Sequence, residues 1–256
     1  MPKYSIGVVT YINRFEKYFK PLVFQLEKFF PDVEKNYALN GFYNQERQEK
    51  YLTEAKGFLS KTSASTVTAY KEHHALSHCW NQLVINSKKE KILIMNDDVR
   101  VSRLFRFCFD LQVGLYETAV INRSWSHFII SKETVKKVGW FDERLVGVGH
   151  EDADYGLRLA IASNKKQMPK NWQHQIFCLG LKNIIAKNED PGWKNISATT
   201  SNKYAEINLK VFKEKWDISD QPKEGYLHAF NAGYYAVRPG METPLFYPLS
   251  ALDKKA

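Results

Sequence analysis

Apolar and polar residues alternate along the chain in blocks that predict strands and helices in turn. The nearly continuous apolar run from Tyr4 to Thr10 predicts a first, buried strand. An amphipathic helix is predicted next, because apolar residues recur at three- and four-residue spacing at Phe15, Phe19, Leu22, Leu26 and Phe29. Pro21 should bend this helix or mark its true start. The chain therefore opens with a βα unit.

The alternation continues to about residue 216. Further strands are predicted at Asn36 to Phe42, Ile92 to Met95, Trp125 to Ser131 and Gln175 to Leu181. Further helices are predicted at Thr66 to Ile85, Leu104 to Leu111, Lys132 to Val138 and Lys203 to Trp216. Residues 44–65 show no strong period, and the aromatic- and proline-rich residues from 221 onward predict an irregular tail. Alternating strands and helices predict an α/β fold with a mostly parallel sheet and helices on both faces.

Composition is that of a globular protein. The 256 residues, 44% of them hydrophobic, are enough for one large α/β domain, or for one domain with a C-terminal elaboration. There is no run of 18 apolar residues and no cleavable signal pattern, so a soluble, cytoplasmic protein is expected. The three cysteines lack CxxC spacing, which indicates neither a disulfide framework nor a zinc site.

The net charge of +9 is unevenly distributed. Residues 163–215 contain ten lysines and four acidic residues. Such a segment attracts a nucleotide diphosphate, an anionic membrane surface or a nucleic acid, or it is only a solvated face. No nucleic-acid-binding motif accompanies the lysines, so a nucleic acid is not expected as a partner.

Two acidic motifs lie where an α/β sheet would expose them. The apolar run that ends at Met95 is followed by Asn96, Asp97 and Asp98. This is the carboxyl edge of a buried strand, where open α/β sheets bind ligands. Later, a glycine-punctuated loop leads into Glu151, Asp152 and Asp154 at the start of a predicted helix, and Asp154 and Arg158 are spaced for an intrahelical ion pair. Two acidic sites on one sheet indicate a metal site and a general base.

The motifs together resemble a known family. Thr10-Tyr-x-Asn-Arg14, Asn96-Asp-Asp-Val99, Val138-Gly-Trp-Phe-Asp-Glu143 and Glu151-Asp-x-Asp-Tyr155-x-x-Arg158 are similar, in this order, to motifs of the family-two glycosyltransferases of GT-A fold. The resemblance spans about residues 4 to 162. It implies a GT-A, Rossmann-like domain over residues 1–220, with a nucleotide-binding half at about 1–100 and an acceptor-binding half at about 101–220. Residues 221–256 would be a tail packed on this domain.

The resemblance implies a metal-dependent inverting hexosyltransferase. A hexose would pass from a nucleotide diphosphate sugar, a UDP-sugar in the first instance, to a hydroxyl of a polysaccharide or lipid-linked glycan such as lipopolysaccharide or capsule. Mn²⁺ or Mg²⁺ would neutralise the leaving diphosphate. Asp98 is the expected direct metal ligand, with Asn96 at the amide-bearing first position of the motif and His174 or His228 completing the metal sphere. Peripheral contact with the anionic inner face of the cell membrane is a further expectation.

Donor and acceptor residues are assigned on the same resemblance. Thr10, Tyr11 and Arg14 would contact the base and phosphates, and Asp97 the ribose. Asn40 stands where the family usually has an aspartate that reads uracil.

On the acceptor side, Asp152 would be the general base, with Glu151 as the alternative. Trp140 and His150 would line the acceptor pocket. Two other functions remain open. One is a glycoside hydrolase with Asp98 and Asp152 as its carboxylate pair. The other is a non-catalytic glycan- or nucleic-acid-binding module, which Asn96 in the metal motif favours.

Overall fold

The structure is a computed structural model that describes residues 2–41, 45–162, 175–184, 204–217 and 237–253. Its strands are β1 (Tyr4–Thr10), β2 (Glu34–Leu39), β3 (Thr66–Ala69), β4 (Lys91–Asn96), β5 (Val99–Val101), β6 (Thr118–Ile121), β7 (Ser124–Ser131), β8 (Gln175–Ile176) and β9 (Leu181–Asn183). In the described part of the chain, seven of them form one sheet in the order β3-β2-β1-β4-β7-β6-β8, and β5 pairs with β9 in a second, small sheet.

The first helical region has three consecutive parts: α1 (Ile12–Arg14), a π-helical turn (Phe15–Phe19) and α2 (Lys20–Phe29). Pro21 is the second residue of α2, directly after the π-helical turn, and it donates no backbone hydrogen bond there. The later helices are α3 (Gln45–Leu59), α4 (Leu76–Asn86), α5 (Arg103–Gln112), α6 (Lys132–Val138), α7 (Glu151–Ala162) and α8 (Ala205–Trp216). A 3₁₀-helix at Leu249–Asp253 follows. None of the helices described is long and apolar enough to cross a membrane.

The order of the strands creates a binding edge. β1 pairs in parallel with both β2 and β4, and β3 pairs in parallel with β2, whereas β7 is antiparallel to β4 and β6. The chain leaves β1 first toward β2 and β3, and later returns on the opposite side as β4. The carboxyl ends of β1 and β4 therefore meet at a topological switch point, the usual ligand site of open α/β sheets.

Side chains of the sheet alternate between two hydrophobic cores. Leu93 and Met95 of β4 face one core, which also contains apolar residues of α2, α3 and α5, whereas Ile92 and Ile94 face the other, which contains residues of α4 and α6. The expected arrangement of helices on both faces of the sheet is confirmed. The described tail packs on the second core through Leu252, which is buried.

Most predicted elements are present, and three predictions are wrong. The stretch 44–65, which lacks a strong period, contains α3, whose buried residues Tyr51, Ala55 and Leu59 are spaced four apart among charged ones. The single helix predicted from Thr66 is instead β3, a loop and then α4. The predicted strand from Gln175 divides into β8 and β9, which belong to different sheets. In addition, β6 is present although no strand was predicted there.

Candidate active site

Four of the predicted donor-site residues converge at the switch point. Thr10, the last residue of β1, donates a hydrogen bond of 2.7 Å from its hydroxyl to Asp97 Oδ2. Arg14 follows in α1, and its Nη2 lies 2.6 Å from Asp97 Oδ1 and 2.8 Å from Asp98 Oδ2. Asp97 and Asp98 come directly after β4. Two neighbouring parallel strands thus bring a hydroxyl, a guanidinium and two carboxylates into one cluster.

Burial makes the two carboxylates of this cluster unequal. Asp97 is buried, whereas the side chain of Asp98 keeps about a fifth of its surface exposed. Desolvation raises the pKa of Asp97 to about 6, although the positive charge of Arg14 and the hydrogen bond from Thr10 act in the opposite direction. Burial alone would lower the pKa of Arg14, but the two carboxylates raise it above its ordinary value. Arg14 is therefore a permanent cation, and Asp98 is the carboxylate that a ligand can reach.

Asn40 lies beside this cluster but its side chain is committed to the protein. Its backbone N–H donates to Thr10 O at 2.7 Å, and its side chain bonds the backbone N–H and C=O of His74 at 3.0 and 2.9 Å. The next residue, Gly41, has no room for a side chain, since a Cβ there would come within 1.8 Å of the Glu72 carbonyl oxygen. Asn40 thus anchors the loop after β3 to the end of β1. Tyr11 caps the start of α1 in an extended conformation.

The residues present fit a divalent cation that takes only one or two of its ligands from the protein. The described part of the chain contains no group of three or more His, Cys, Asp or Glu side chains arranged to hold a metal. Mg²⁺ and Mn²⁺ sites on nucleotides commonly use one or two protein carboxylates together with phosphate oxygens and water. Asp98 meets that requirement, and Asn96 ends β4 just before it. His174 and His228 lie outside the described residues.

His127 is a neighbour of this cluster that the sequence did not indicate. It lies in β7, paired with Met95 of β4, and it is fully buried. Burial lowers the pKa of His127 to about 4, and the negative charge of Asp98 only partly opposes this. The imidazole is thus neutral at physiological pH. A lone histidine in an apolar strand carries no motif, so only the pairing of β4 with β7 places it near Asp98.

The second acidic motif forms the start of α7. Glu151 and Asp152 are its first two residues, and Glu151 Oε2 accepts a hydrogen bond from the Gly149 N–H. His150 has a φ of 71°, in the left-handed region that Gly147 and Gly149 also adopt. Burial and the charge of Asp152 raise the pKa of Glu151 to about 8, and burial also raises the pKa of Asp152. Glu151 is therefore largely protonated near neutral pH. The side chain of Glu151 is buried, whereas Asp152 is only partly buried.

A buried ion-pair network holds α7 in place. The predicted pair between Asp154 and Arg158 is confirmed, with Arg158 Nη2 2.8 Å from Asp154 Oδ2. Lys215 of α8, also buried, lies 2.6 Å from Asp154 Oδ1 and 2.8 Å from Asp142 Oδ2. Burial would raise the pKa of Asp142, but hydrogen bonds from Arg144 and Lys215 lower it to about 2. The two aspartates and Lys215 connect three separate stretches of chain.

The Gly-Trp-Phe-Asp-Glu motif is internal. Trp140, expected in the acceptor pocket, is fully buried, and its indole N–H donates to Tyr247 O at 2.8 Å. Phe141 stacks on Tyr155 of α7 with ring centroids 4.1 Å apart. Glu143 accepts hydrogen bonds from Asn81 and Tyr247. Because no face of the Trp140 ring is accessible, we assign this residue to the core and not to an acceptor contact.

A chain of backbone contacts joins the two acidic sites. Thr10 O accepts from Asn40, Asn40 holds the backbone of His74, and Leu76 N donates to Gly147 O at 2.8 Å. Gly147 lies in the loop that leads to Glu151. The donor cluster and the start of α7 thus border the same loop after β3. This arrangement can hold a nucleotide at one end and an activated hydroxyl at the other.

Burial of these carboxyls predicts a specific pH dependence of stability. The folded protein keeps a proton on Glu151, whereas the unfolded chain releases it above the ordinary pKa of 4.5. The contribution of this group to the free energy of unfolding is therefore fully present below about pH 4.5, and it is lost as the pH rises through about 8. We expect Glu151→Gln, which keeps a neutral side chain, to flatten the fall in melting temperature between pH 5 and 8. Thermal unfolding at a series of pH values between 5 and 8 measures the change in melting temperature. Glu133→Gln, at a half-exposed position, is the control, and equal slopes for wild type and Glu151→Gln would refute the expectation.

Comparison with solved structures identifies the fold. The chain is similar to GalNAc-T7, solved with UDP, GalNAc and Mn²⁺, with a TM-score of 0.54 and 13% identity over 83% of this chain and 48% of that one. The fold is the GT-A glycosyltransferase fold. Weaker similarities are to S. aureus TarS 1-349 with UDP (TM-score 0.46, 16% identity, 63% of this chain and 55% of that one) and to the mannosyltransferase PcManGT from Pyrobaculum calidifontis with GDP-Man and Mn²⁺ (0.46, 10%, 69% and 56%).

These similarities are structural. No protein-family model matches the chain, and no curated protein matches it either. The chain spans between 48% and 56% of the length of these three solved chains. The GT-A fold predicted from the motifs is confirmed, and the activity of this chain is argued from its own residues below.

Proposed function

We propose that the protein is a metal-dependent, inverting glycosyltransferase that moves a hexose from a nucleotide diphosphate sugar to a hydroxyl of a glycan. The observation that carries this proposal is the cluster of Thr10, Arg14, Asp97 and Asp98 at the switch point of a GT-A sheet. A hydroxyl, a permanent cation and an accessible carboxylate suit a nucleotide diphosphate. The carboxylates at the start of α7 supply the second requirement of transfer, a proton acceptor.

On the donor side, Asp98 would hold Mn²⁺ or Mg²⁺, with Asn96 beside it and His174 as a further ligand. The metal supplies neutralisation of the charge that develops on the leaving diphosphate. Arg14 is within reach of the same carboxylate and would bind phosphate oxygens once the metal occupies Asp98. In this proposal Arg14 and the metal divide the charge of the diphosphate between them.

The nucleoside would lie along the ends of β1 and β2. Asp97, fixed by Thr10 and Arg14, would accept hydrogen bonds from the ribose, and Tyr11 would contact the base. Uridine as the donor nucleoside is proposed from the resemblance of the motifs, and Asn40 would line the wall beside the base. Its side chain is largely used by His74, so Asn40 acts mainly by shaping this wall.

On the acceptor side, Asp152 would take the proton of the attacking hydroxyl. It is the more exposed of the two carboxylates, and its raised pKa brings it closer to the range in which a base works at neutral pH. Glu151, which is protonated and hydrogen-bonded to Gly149, would position the loop. His150 would contact the acceptor. Direct attack on the face opposite the diphosphate inverts the anomeric centre.

The acceptor we propose is a polysaccharide or lipid-linked glycan of the lipopolysaccharide or capsule type. The lysine-rich chain at 163–215 supports a location at the cytoplasmic, anionic face of the cell membrane, where such acceptors are built.

Nucleotide binding tests the proposal directly. We expect UDP with Mn²⁺ to raise the melting temperature of the wild type and Asp98→Ala to abolish this rise, because ligand linkage disappears with the metal ligand. GDP, CMP and dTDP serve as competing nucleotides. Asp253→Ala, at an exposed aspartate far along the chain, is the matched control and should behave as wild type. A shift that ignores Mn²⁺ or survives Asp98→Ala would favour a binding module, and the absence of any shift would remove the transferase proposal.

A further inference from the structure

Helix α5 has two apolar stripes, and only one of them is buried. Phe105, Phe109 and Val113 are spaced four apart and pack into the core. Leu104, Phe107 and Leu111 form a second stripe at three- and four-residue spacing, and Leu115 follows just after the end of the helix. They are large, and they are exposed. A helix that needs only one apolar face to fold therefore carries a second one toward the outside.

The chain around β8 and β9 extends this second stripe. Gln112 of α5 donates its side-chain amide to Phe177 O at 3.1 Å, which holds that segment against the helix. Gly180 packs on the first turn of α5, since a Cβ there would lie 3.2 Å from Leu104 Cβ. Phe177 and Leu179 flank this contact with exposed side chains. The six side chains are 48% to 70% exposed, and we call them the α5 patch: Leu104, Phe107, Leu111, Leu115, Phe177 and Leu179.

The charges next to the α5 patch are mainly positive. Arg103 opens α5 and is exposed, Lys182 follows the patch in β9, and the Arg123 guanidinium lies 5.7 Å from the centre of the Phe177 ring. Asp110, the acid on the exposed side of α5, shares Arg106 with Asp32, and each carboxylate lies 2.7 Å from that guanidinium. Around the patch in sequence, residues 163–188 contain five lysines and no acidic residue.

We infer that the α5 patch docks on an anionic lipid bilayer. Phenylalanine and leucine side chains flanked by arginine and lysine are the composition that binds at a membrane interface, with apolar groups among the acyl chains and cations at the headgroups. Apolar patches of this kind on a protein surface mark an interaction site. A second copy of the chain fits less well, because a two-fold contact through this patch would bring like charges together.

The α5 patch lies on segments that also contact the donor site. α5 begins five residues after Asp98, and β9 donates a hydrogen bond through Ile184, next to its end, to the Asp98 carbonyl oxygen at 2.7 Å. The same segments that carry the patch therefore support the donor site. Docking through them would hold the site beside the membrane. Vesicle binding needs neither nucleotide nor metal, so a failure of this inference is distinguishable from a failure of the proposed transferase.

Vesicle sedimentation tests the inference. The wild type should sediment with phosphatidylcholine vesicles that contain phosphatidylglycerol, and weakly with phosphatidylcholine alone. The double variant Phe107→Ser, Leu111→Ser should bind the anionic vesicles about tenfold more weakly. Leu245→Ser, which changes an equally exposed leucine of the tail, should bind as wild type. Arg123→Glu tests the electrostatic contribution to vesicle binding. It should weaken binding to the anionic vesicles and leave the weak binding to phosphatidylcholine alone unchanged.

The folded state of each variant is checked by its melting temperature, which substitutions at exposed positions should leave nearly unchanged. Equal binding of the wild type and the double variant, or no binding of the wild type to anionic vesicles, would overturn the inference. So would light scattering that finds the wild type dimeric and the double variant monomeric, since the patch would then be a contact between two copies.

Discussion

Asp152→Asn is expected to lower the rate of sugar transfer by about a thousandfold, the usual loss when a positioned general base is removed. The asparagine keeps the size of the side chain at the start of α7 but cannot take a proton. The donor cluster around Asp98 is separate in sequence and should remain intact. We therefore expect UDP with Mn²⁺ to stabilise the variant as it stabilises wild type, while steady-state transfer to a glycan acceptor collapses.

Glu151→Gln is the control that separates the two neighbouring carboxyls. Because Glu151 is buried, bonded to Gly149 and largely protonated, a neutral amide should preserve most of its contacts. Transfer by this variant should fall much less than in Asp152→Asn. The reverse order of losses would move the base to Glu151. Full activity of both variants would remove this helix start from the chemistry altogether.

Lys215→Met is expected to destabilise the protein by about 3–5 kcal/mol, because it removes two charge-assisted hydrogen bonds to buried carboxylates, each worth about 1.5–3 kcal/mol. Lys215 Nζ bridges Asp142 and Asp154 and also donates to Thr243 Oγ1 at 2.6 Å. All three members of the bridge are buried. Asp154 would keep Arg158 and Asp142 would keep Arg144, so the carboxylates stay neutralised and the loss comes from the hydrogen bonds that Lys215 made to them. Urea unfolding gives the free energy directly.

Lys210→Met on the same helix is the matched control. Lys210 is highly exposed and lies 4.0 Å from Glu214, a surface pair of the kind worth at most about 1 kcal/mol. Its free energy of unfolding should stay close to that of wild type. If Lys215→Met were equally mild, the bridge between α7 and α8 would contribute little, and α7 would depend on Arg158 and aromatic packing instead.

Much of the sheet could be predicted from local pattern. β1 and β4 are apolar runs that end at polar residues, so both their type and the acids at their ends follow from a few consecutive positions. The pair between Asp154 and Arg158 depends only on a four-residue spacing within one helix. The convergence of Thr10 and Asp97 was also predictable, because the carboxyl ends of parallel strands lie at the same edge of a sheet.

The wrong predictions have two physical causes. β3 is a short edge strand of half-buried residues, and its extended form depends on pairing with β2, far from it in sequence. α3 has a narrow buried stripe within a charged segment, which gives a weak periodic signal. Trp140 belongs to a motif typical of the family, but its burial under Tyr247 depends on the tail. A distant segment decided the outcome for β3 and Trp140, whereas for α3 the local signal itself was weak.

The sequence by itself determined the order of the main strands and helices, the acids at the end of β4 and at the start of α7, and the GT-A fold that they indicated. Only the tertiary structure decided that Arg14 faces both Asp97 and Asp98, that Lys215 joins Asp142 to Asp154, and which stripe of α5 is buried. The reason is that strand and helix type depend on neighbours within a few residues, whereas burial and ion pairing depend on which distant segments meet.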